Sequence, residues 1–441
     1  APAQSGVAQK DRQRVGQPLV HRAFVRTVRR HPFRLCMADM NVPRLSYFKT
    51  YVGSLVFAFK LKKLLDEQPM VGVLVPPSVG GALTNIALQF MGKTPVNLNY
   101  TVSADVMANA AQQCAITKVV TSRAFLEKLP LEVPGESIYL EDVRETVAGL
   151  DRIKAMLLAA FLPVRRIERM LGAPKRRSQD DLATIIFSSG SEGDPKGVML
   201  THFNISSDIE SCLQVFPHKV GYGMTGILPF FHSFGFTGTL WLPLHAGFFT
   251  VFYPSPLDAK AIGGLIGRYR PQFLISTPTF LQNFIRRCLP EEFSSLMYVI
   301  VGAEKLTTRV REAFRARFGI EPLEGYGATE CAPVISVNVP DFRVAGYYQI
   351  GVKHGTVGHP IPGVSVRVVD PDTGSPLEEG LPGLLLVKGP NVMKGYLNNP
   401  QKTEAVLKDA WYNTGDIAAI DDDGFITITD RLARFSKIGG E

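Results

Sequence analysis

Short apolar runs alternate with helical stretches through the first third of the chain. Val71-Gly-Val-Leu-Val75 reads as a buried strand, Gly80 to Phe90 as a helix and Thr94 to Asn97 as a second strand. A helix from about Ser103 to Gln113 and a strand at Lys118 to Thr121 continue the pattern. Such alternation implies a parallel sheet covered by helices. From Asp181 a second set begins, with strands near 183 to 188, 225 to 229, 248 to 252, 273 to 276 and 297 to 301, so two similar halves in tandem are expected. After about residue 345 the texture changes to short strands separated by Gly and Pro, the mark of a small β-rich subdomain. Within it, Asp423-Gly424 reads as a hairpin turn between Ile417 to Ile420 and Phe425 to Thr429. The expected fold is α/β: two helix-covered, largely parallel sheet subdomains (1–180 and 181–345), a β-rich subdomain (346–430), and a last short segment from 431 to 441.

Composition narrows the class. At 441 residues and 45% hydrophobic content the chain can bury a large core, which excludes a disordered protein. Cys36, Cys114, Cys212, Cys288 and Cys331 are odd in number, far apart and in no zinc-binding spacing, which fits a reducing cytosol. No apolar stretch reaches the roughly 18 residues a membrane span needs. The net charge of +8 is uneven: residues 151 to 180 hold eight Lys/Arg against three acids, a local balance of +5, interleaved with Met156, Leu157, Leu158, Phe161 and Leu162. A basic, apolar, helical stretch broken at Pro163 suits an anionic membrane surface or an acidic partner; an ordinary helix with its apolar face in the core gives the same pattern. The segment interrupts the alternation as an insertion or a connection. Neither it nor the basic cluster from Arg22 to Arg34 belongs to a nucleic-acid-binding module, so no nucleic-acid partner is expected.

The chemistry concentrates in Ser188-Ser-Gly-Ser-Glu-Gly-Asp-Pro-Lys-Gly197, entered from Leu182, Ala183, Ile185, Ile186 and Phe187 and left through Val198-Met-Leu200. Small residues can turn N–H and O–H donors toward one anion, and Lys196 adds a compact charge. The reading is a phosphate cradle, with a plain surface loop as its rival. It is not a Walker A loop, because Pro195 precedes the lysine and Gly197 follows it. A second glycine pattern, Gly221-Tyr-Gly-Met-Thr-Gly226, runs into apolar Ile227-Leu-Pro-Phe where a dinucleotide fold needs a helix, and reads as a turn. Asp421-Asp-Asp-Gly424 lacks the alternating ligands of a calcium loop.

Further segments gain meaning beside that loop. Leu228-Pro-Phe-Phe-His-Ser-Phe-Gly-Phe236 sets His232 among four phenylalanines, where a packed core histidine and a functional one are both open. Glu324-Gly-Tyr-Gly-Ala-Thr-Glu330 offers an aromatic plane, a hydroxyl and a carboxylate able to hold Mg²⁺. Trp411-Tyr-Asn-Thr-Gly-Asp416 ends in an acid able to accept from ribose hydroxyls, with Asp430-Arg431 one hairpin later. Together, in this order, the segments resemble the adenylate-forming superfamily of acyl-CoA synthetases, peptide-synthetase adenylation domains and luciferases, from about residue 20 onward.

That resemblance implies ATP and Mg²⁺ as cofactors and a role for each motif. Ser188, Ser189, Gly190, Ser191, Glu192, Gly193 and Lys196 would cover the β- and γ-phosphates, and His232 would sit beside the substrate carboxylate. Gly302, Ala303 and Glu304, followed by Lys305, would frame the adenine with Tyr326 and Gly327. Thr329 would contact the α-phosphate, Glu330 would bind the metal, and Asp416 and Arg431 would hold the ribose. Phe230, Phe231, Phe234 and Phe236 suit a long acyl chain.

Met37-Ala-Asp-Met, Leu45-Ser-Tyr, Phe187 to Gly193, Pro229 to Gly238 and Arg434-Phe-Ser-Lys-Ile-Gly-Gly-Glu441 look like the bacterial acyl-[acyl-carrier-protein] synthetases, often fused to a 2-acylglycerophosphoethanolamine acyltransferase. This branch implies a long-chain fatty acid and acyl carrier protein as partners, phospholipid repair as the setting, and a cytoplasmic location peripheral to the inner face of the bacterial cell membrane. A long-chain acyl-CoA synthetase using coenzyme A is the rival enzyme, and a nucleotide- or lipid-binding module without turnover the rival of another class. Two departures stand out. The family's C-terminal lid domain, with its adenylation lysine, does not follow Arg431 here, so weak turnover is expected. The hinge position, usually Asp or Lys, is Ala433.

Overall fold

The computed structural model describes residues 18–65, 67–188 and 195–431. In chain order the first strands are β1 (Leu35–Ala38), β2 (Leu45–Ser46), β3 (Met70–Leu74), β4 (Thr94–Asn97), β5 (Lys118–Thr121) and β6 (Glu136–Tyr139). Strands β4, β3, β5 and β6 pair in that order, all parallel, as the alternation required. The helix Val79–Phe90 that follows β3 is buried nearly throughout, and its first turn is capped by Ser78, whose hydroxyl accepts from Gly81 N–H.

The two helix-covered, largely parallel sheets form as expected, but they do not divide the chain into simple tandem halves. Strands β7 (Leu182–Ser188) and β8 (Lys196–Thr201) pair antiparallel with each other, in a small sheet of their own. Next come β9 (Gly223–Gly226), β10 (Phe249–Phe252), β11 (Phe273–Ser276), β12 (Tyr298–Val301), β13 (Pro322–Gly327) and β14 (Val334–Val337). With β1, β2 and the later strand β17 (His359–Pro360) they form a sheet ordered β17-β14-β13-β12-β11-β9-β10-β1-β2, parallel from β13 across to β1 and antiparallel at both edges. Because β1 lies against β10, chain from before residue 180 completes the sheet of the following segment.

The glycines of Gly221 to Gly226 have a packing reason. Gly221 turns with φ +93°, and a Cβ on Gly223 or Gly226 would fall 2.1 Å from the ring of Phe249 or 2.3 Å from that of Phe252. These are strand glycines over which the aromatic rings of β10 lie flat, so the segment is mostly strand where a turn was expected.

The β-rich part contains β15 (Phe342–Val344), β16 (Tyr347–Gln349), β17 (His359–Pro360), β18 (Ser365–Val369), β19 (Gly383–Lys388), β20 (Gly395–Tyr396), β21 (Leu407–Lys408), β22 (Trp411–Ile420) and β23 (Ile426–Arg431). Strands β18, β19, β21, β22 and β23 make one antiparallel sheet. The hairpin β22–β23 turns at Gly424, φ +84°, and Lys353 neutralises its acids, with Nζ 2.6 Å from Asp421 and 3.4 Å from Asp423. Strand β20 leaves this region and pairs with β8, while β17 pairs with β14, so the three sheets meet. The five cysteines are buried and free.

Residues 149–170 form two helices, Gly149–Phe161 and Val164–Met170, broken at Pro163 as expected, and they connect β6 to β7. Among the described residues, no helix is long and apolar enough to cross a membrane.

Candidate active site

The site lies where the three sheets converge. Register places Ser188 opposite Lys196, so the Ser/Gly segment is the connection of the β7–β8 hairpin. Ser189, Gly190, Ser191, Glu192 and Gly193 lie outside the described residues, as does Ala433. Lys196, at the start of β8, reaches over the Tyr396 ring with Nζ 5.5 Å from its centroid. Tyr396 in turn donates its hydroxyl to Glu330 Oε1 at 2.8 Å. Burial, reinforced by the Glu330 charge, pushes the Tyr396 phenol far up, so it remains a donor. Lysine, ring and carboxylate thus form one chain, although 200 residues separate Lys196 from Tyr396.

Local structure brings that tyrosine in. Thr201 caps the helix His202–Val215 in a capping box with Asn204: Asn204 N–H donates to the Thr201 hydroxyl, and Thr201 N–H to Asn204 Oδ1. The amide of Asn204 donates to the carbonyls of Pro390 and Val392, at 2.8 and 2.7 Å. The segment 390–396 is thereby tied to the start of this helix, and Met393 N–H donates to Glu330 O at 2.7 Å.

A second pair faces the same space. Tyr326, in β13, donates to Asp416 Oδ2 at 2.5 Å, and Arg431 Nε donates to Asp416 Oδ1 at 3.1 Å, its position fixed because Asp416 and Arg431 are register partners in β22–β23. Burial and the neighbouring Asp416 hold the Tyr326 phenol well above its ordinary range. Gly327 has no room for a side chain, since a Cβ there would sit 2.2 Å from the Pro333 carbonyl oxygen. Thr329 and Glu330 share the short turn Thr329–Cys331 that follows.

Between these groups lies the aromatic histidine segment. His232 precedes a helical turn, and Gly235 permits that turn to fold onto Pro229, where a Cβ would meet the carbonyl oxygen at 2.1 Å. The His232 ring is open to solvent at one side, while the surrounding protein lowers its pKa by desolvation. Ser233 reaches Thr329, hydroxyl to hydroxyl, at 3.5 Å. Phe234 approaches Gly302, at which a Cβ would lie 3.4 Å from the ring. Ala303 and Glu304 follow on the surface, and Glu304 accepts from the Thr279 hydroxyl at 2.6 Å, turned toward the helix Pro278–Arg287.

Behind Phe234 opens a narrow apolar cavity of about 50 Å³. Its walls include Phe216, Met224, Gly238, Phe248, Ile275 and Val334. Of the four phenylalanines expected to contact an acyl chain, only Phe234 lines it. Phe230 and Phe236 pack in the main core, against Phe252 and Trp241, and Phe231 meets Tyr100 edge to face. Phe230 and Phe231 lie before the helical turn Ser233–Gly235 and Phe236 just after it, so only Phe234, within it, faces the cavity. The sequence reading missed Asp208, Tyr396 and Gly238. Asp208 is a fully buried carboxyl in the cavity wall, accepting from Val334 N–H at 3.0 Å and pushed well above its ordinary pKa by burial. Its helix is mixed in composition and holds a second acid, Glu210, so nothing in the sequence singled Asp208 out.

The polar groups around Glu330 and Asp416 thus approach the apolar cavity through the segment His232 to Phe234. The AMP-binding enzyme family model matches residues 24–397, and the chain belongs to that family. It is 33% identical over 279 residues to the Long-chain-fatty-acid–CoA ligase of Bacillus subtilis (strain 168), covering 62% of this chain and 48% of that protein. It is 28% identical over 412 residues to 4-coumarate–CoA ligase 1 of Arabidopsis thaliana, covering 90% of this chain and 71% of that protein. In the first of these the match spans about half the relative's length. Among solved structures, apo MatB from Rhodopseudomonas palustris superimposes with a TM-score of 0.76 at 25% identity, over 93% of this chain and 78% of that one. O-succinylbenzoate coenzyme A synthetase (MenE) from Bacillus subtilis, in complex with AMP, shares the fold with a TM-score of 0.76 at 20% identity, over 93% of this chain and 98% of that one.

Proposed function

We propose that this chain is the adenylating part of an ATP-dependent ligase that activates a long-chain fatty acid and passes it to a thiol. The observation that carries this reading is the junction at residues 232–234: Phe234 lines the apolar cavity, while its neighbour Ser233 touches Thr329 beside Glu330. An acyl chain in the cavity would present its carboxylate at His232, next to the groups assigned to the phosphates.

The carboxylate oxygen attacks the α-phosphorus of ATP, the bond to the bridging oxygen breaks, and pyrophosphate leaves with the electron pair. A thiolate then attacks the acyl carbon and AMP departs. Lys196 neutralises phosphate charge, Thr329 orients the α-phosphate, and Asp416 with Arg431 holds the ribose while Tyr326 lies beside the base. With its pKa lowered, His232 stays neutral near pH 7 and can donate a hydrogen bond to the carboxylate without fixing it as an ion pair. Mg²⁺, when bound, supplies charge neutralisation of the triphosphate. Glu330 fits such an ion: it is a buried carboxylate with one oxygen engaged by Tyr396, and a site made of one carboxylate plus substrate phosphates is the usual way magnesium is held.

For the acceptor we propose acyl carrier protein, in phospholipid acyl-chain recycling. The sequence motifs support this reading, while the curated relatives named above are CoA ligases. The test uses the intact protein that carries this chain, a long-chain acid and ATP, with holo acyl carrier protein and coenzyme A offered in parallel. Acyl transfer to the carrier is the expected result. Transfer to coenzyme A alone overturns the acceptor, and no acid-dependent pyrophosphate exchange into ATP overturns adenylation itself.

A further inference from the structure

The Gly149–Phe161 helix is packed inside out. It turns Ala155 and Ala159, with Leu158 beside them, toward the core and leaves most of its bulky residues in solvent: Leu150 and Phe161 are each 78% exposed, and Ile153 and Leu157 each 50%. These four positions follow a helical spacing of three and four, so they form one stripe, with Met156 beside it. A core-facing amphipathic helix does the reverse, burying its large side chains.

The charges around the stripe are one-sided. Arg152, Lys154, Arg165, Arg166, Arg169, Lys175 and Arg176 are exposed, whereas two of the segment's acids are engaged elsewhere. Asp151 pairs with Lys60 at 2.7 Å, and Glu168 is buried under a two-point contact from Arg22 and a hydrogen bond with His21 at 2.6 Å. Just past the stripe, Arg22, Arg165, Arg169, Lys175, Arg176 and Arg177 line a polar hollow around Glu168. Bulky apolar side chains in water, flanked by cations and a basic hollow, match the two layers of an anionic bilayer: acyl chains for the stripe, headgroup phosphates for the hollow.

We propose that the Gly149–Phe161 and Val164–Met170 helices are a docking surface for an anionic phospholipid bilayer. An acidic protein partner would answer the charges but gives no reason for Leu150, Ile153, Leu157 and Phe161 to stand in solvent together. A membrane source of fatty acid accords with the function proposed above, yet the docking itself needs neither ATP nor acid.

The test is co-sedimentation of the 441-residue chain with vesicles of phosphatidylethanolamine and phosphatidylglycerol, against vesicles of phosphatidylcholine. Binding to the anionic vesicles, weakened by salt, is expected. Arg165→Glu with Arg166→Glu should lower it about fivefold or more per cation lost, and Leu157→Ser with Phe161→Ser roughly a hundredfold. All four positions are exposed, and circular dichroism checks that the fold is kept. Independently, the indole introduced by Phe161→Trp should be quenched by brominated acyl chains in the bilayer. Unchanged binding in both double variants, or an indole that bilayer bromine does not reach, overturns the proposal. So does capture of holo acyl carrier protein by this surface without vesicle binding, or a dimer that the same substitutions split while vesicles are ignored. None of these results touches pyrophosphate exchange, so docking and adenylation fail separately.

Discussion

On one side of Phe234 the polar groups stand on strands of three different sheets: Lys196 opens β8 and Tyr396 ends β20 in one, Tyr326 lies in β13 of another, and Asp416 in β22 and Arg431 at the end of β23 belong to the third. On the other side the cavity is enclosed by the helix His202–Val215 and the middle of the large parallel sheet, with apolar walls and a single carboxyl, Asp208. The polar side is already self-satisfied, Tyr396 giving its proton to Glu330 and Tyr326 to Asp416. A nucleotide entering there must replace those bonds with others of similar strength, so affinity depends on charge and placement. The cavity side has little to exchange, and an acyl chain gains by leaving water. Discrimination among nucleotides and discrimination among acids should therefore break under different substitutions.

The largest effect is expected on the polar side. On the proposed function, Lys196→Ala removes the cation assigned to the triphosphate and Glu330→Gln the carboxylate charge assigned to the magnesium ion, and loss of one such contact costs about 2.7 to 4 kcal/mol, or roughly a hundred- to a thousandfold in rate. Acid-dependent pyrophosphate exchange is the measurement, made on the intact protein. Glu330→Gln keeps an oxygen for the Tyr396 hydroxyl, so the fold around it should hold. Equal small losses for every acid and nucleotide would show that these charges are structural. The comparison would be sharpened if the defect were the same for short and long acids, since neither residue touches the cavity.

How much of this was legible depends on how local the signal was. The parallel strands β3, β4 and β5 could be read because each is a short apolar run bounded by turn residues. The polar residues could be located because Tyr326, Glu330, Asp416 and Arg431 sit in compact motifs whose order carried the family resemblance. The pairing of β1 with β10 was not legible, since a crossover of more than 200 residues leaves no periodic trace. Tyr396 was missed for the same reason, as nothing in Lys394-Gly-Tyr396 points to Glu330. Only Phe234 of the four phenylalanines lines the cavity, because Phe230 and Phe231 precede the helical turn and Phe236 follows it into the core, a division made by tertiary packing. The inverted Gly149–Phe161 helix shows the limit most clearly: its pattern is amphipathic either way, and only the neighbouring helix Tyr47–Leu64 decides which side is covered.

A smaller effect tests whether the cavity is as dry as its walls suggest. Burial holds Asp208 well above the ordinary carboxylate value of 3.8, so the folded protein keeps a proton that the unfolded chain releases. A carboxyl whose folded pKa is raised contributes stability that is full below 3.8 and declines as pH rises toward the folded pKa. Within that window the loss is about 1.4 kcal/mol per pH unit. Asp208→Asn cannot ionise and still offers an oxygen to Val334 N–H, so its stability relative to the parent should grow from acid to neutral and alkaline pH. Denaturant midpoints at a series of pH values measure this. Parallel curves for the two proteins would mean that water reaches Asp208 and that the cavity is not apolar at that wall.

The smallest effect concerns the length of the acid. Gly238 lies in the wide helical turn Phe236–Trp241, facing Ile275 in the centre of the sheet. A Cβ there would come 3.0 Å from Ile275 Cδ1 and 3.8 Å from Phe234, so Gly238→Ala puts a methyl between the two walls. The contact at Ile275 is with the flexible end of a side chain, which can yield. Each methylene of acyl chain that no longer fits forgoes about 0.8 kcal/mol, or roughly fourfold in kcat/KM. Gly238→Ala should therefore shift preference toward shorter acids with the KM for ATP unchanged. Adding Ile275→Val removes the carbon that the new methyl meets, and should return the longer acids. A uniform loss across all chain lengths, with no recovery in the double variant, would separate this cavity from the substrate and leave the polar side without its partner.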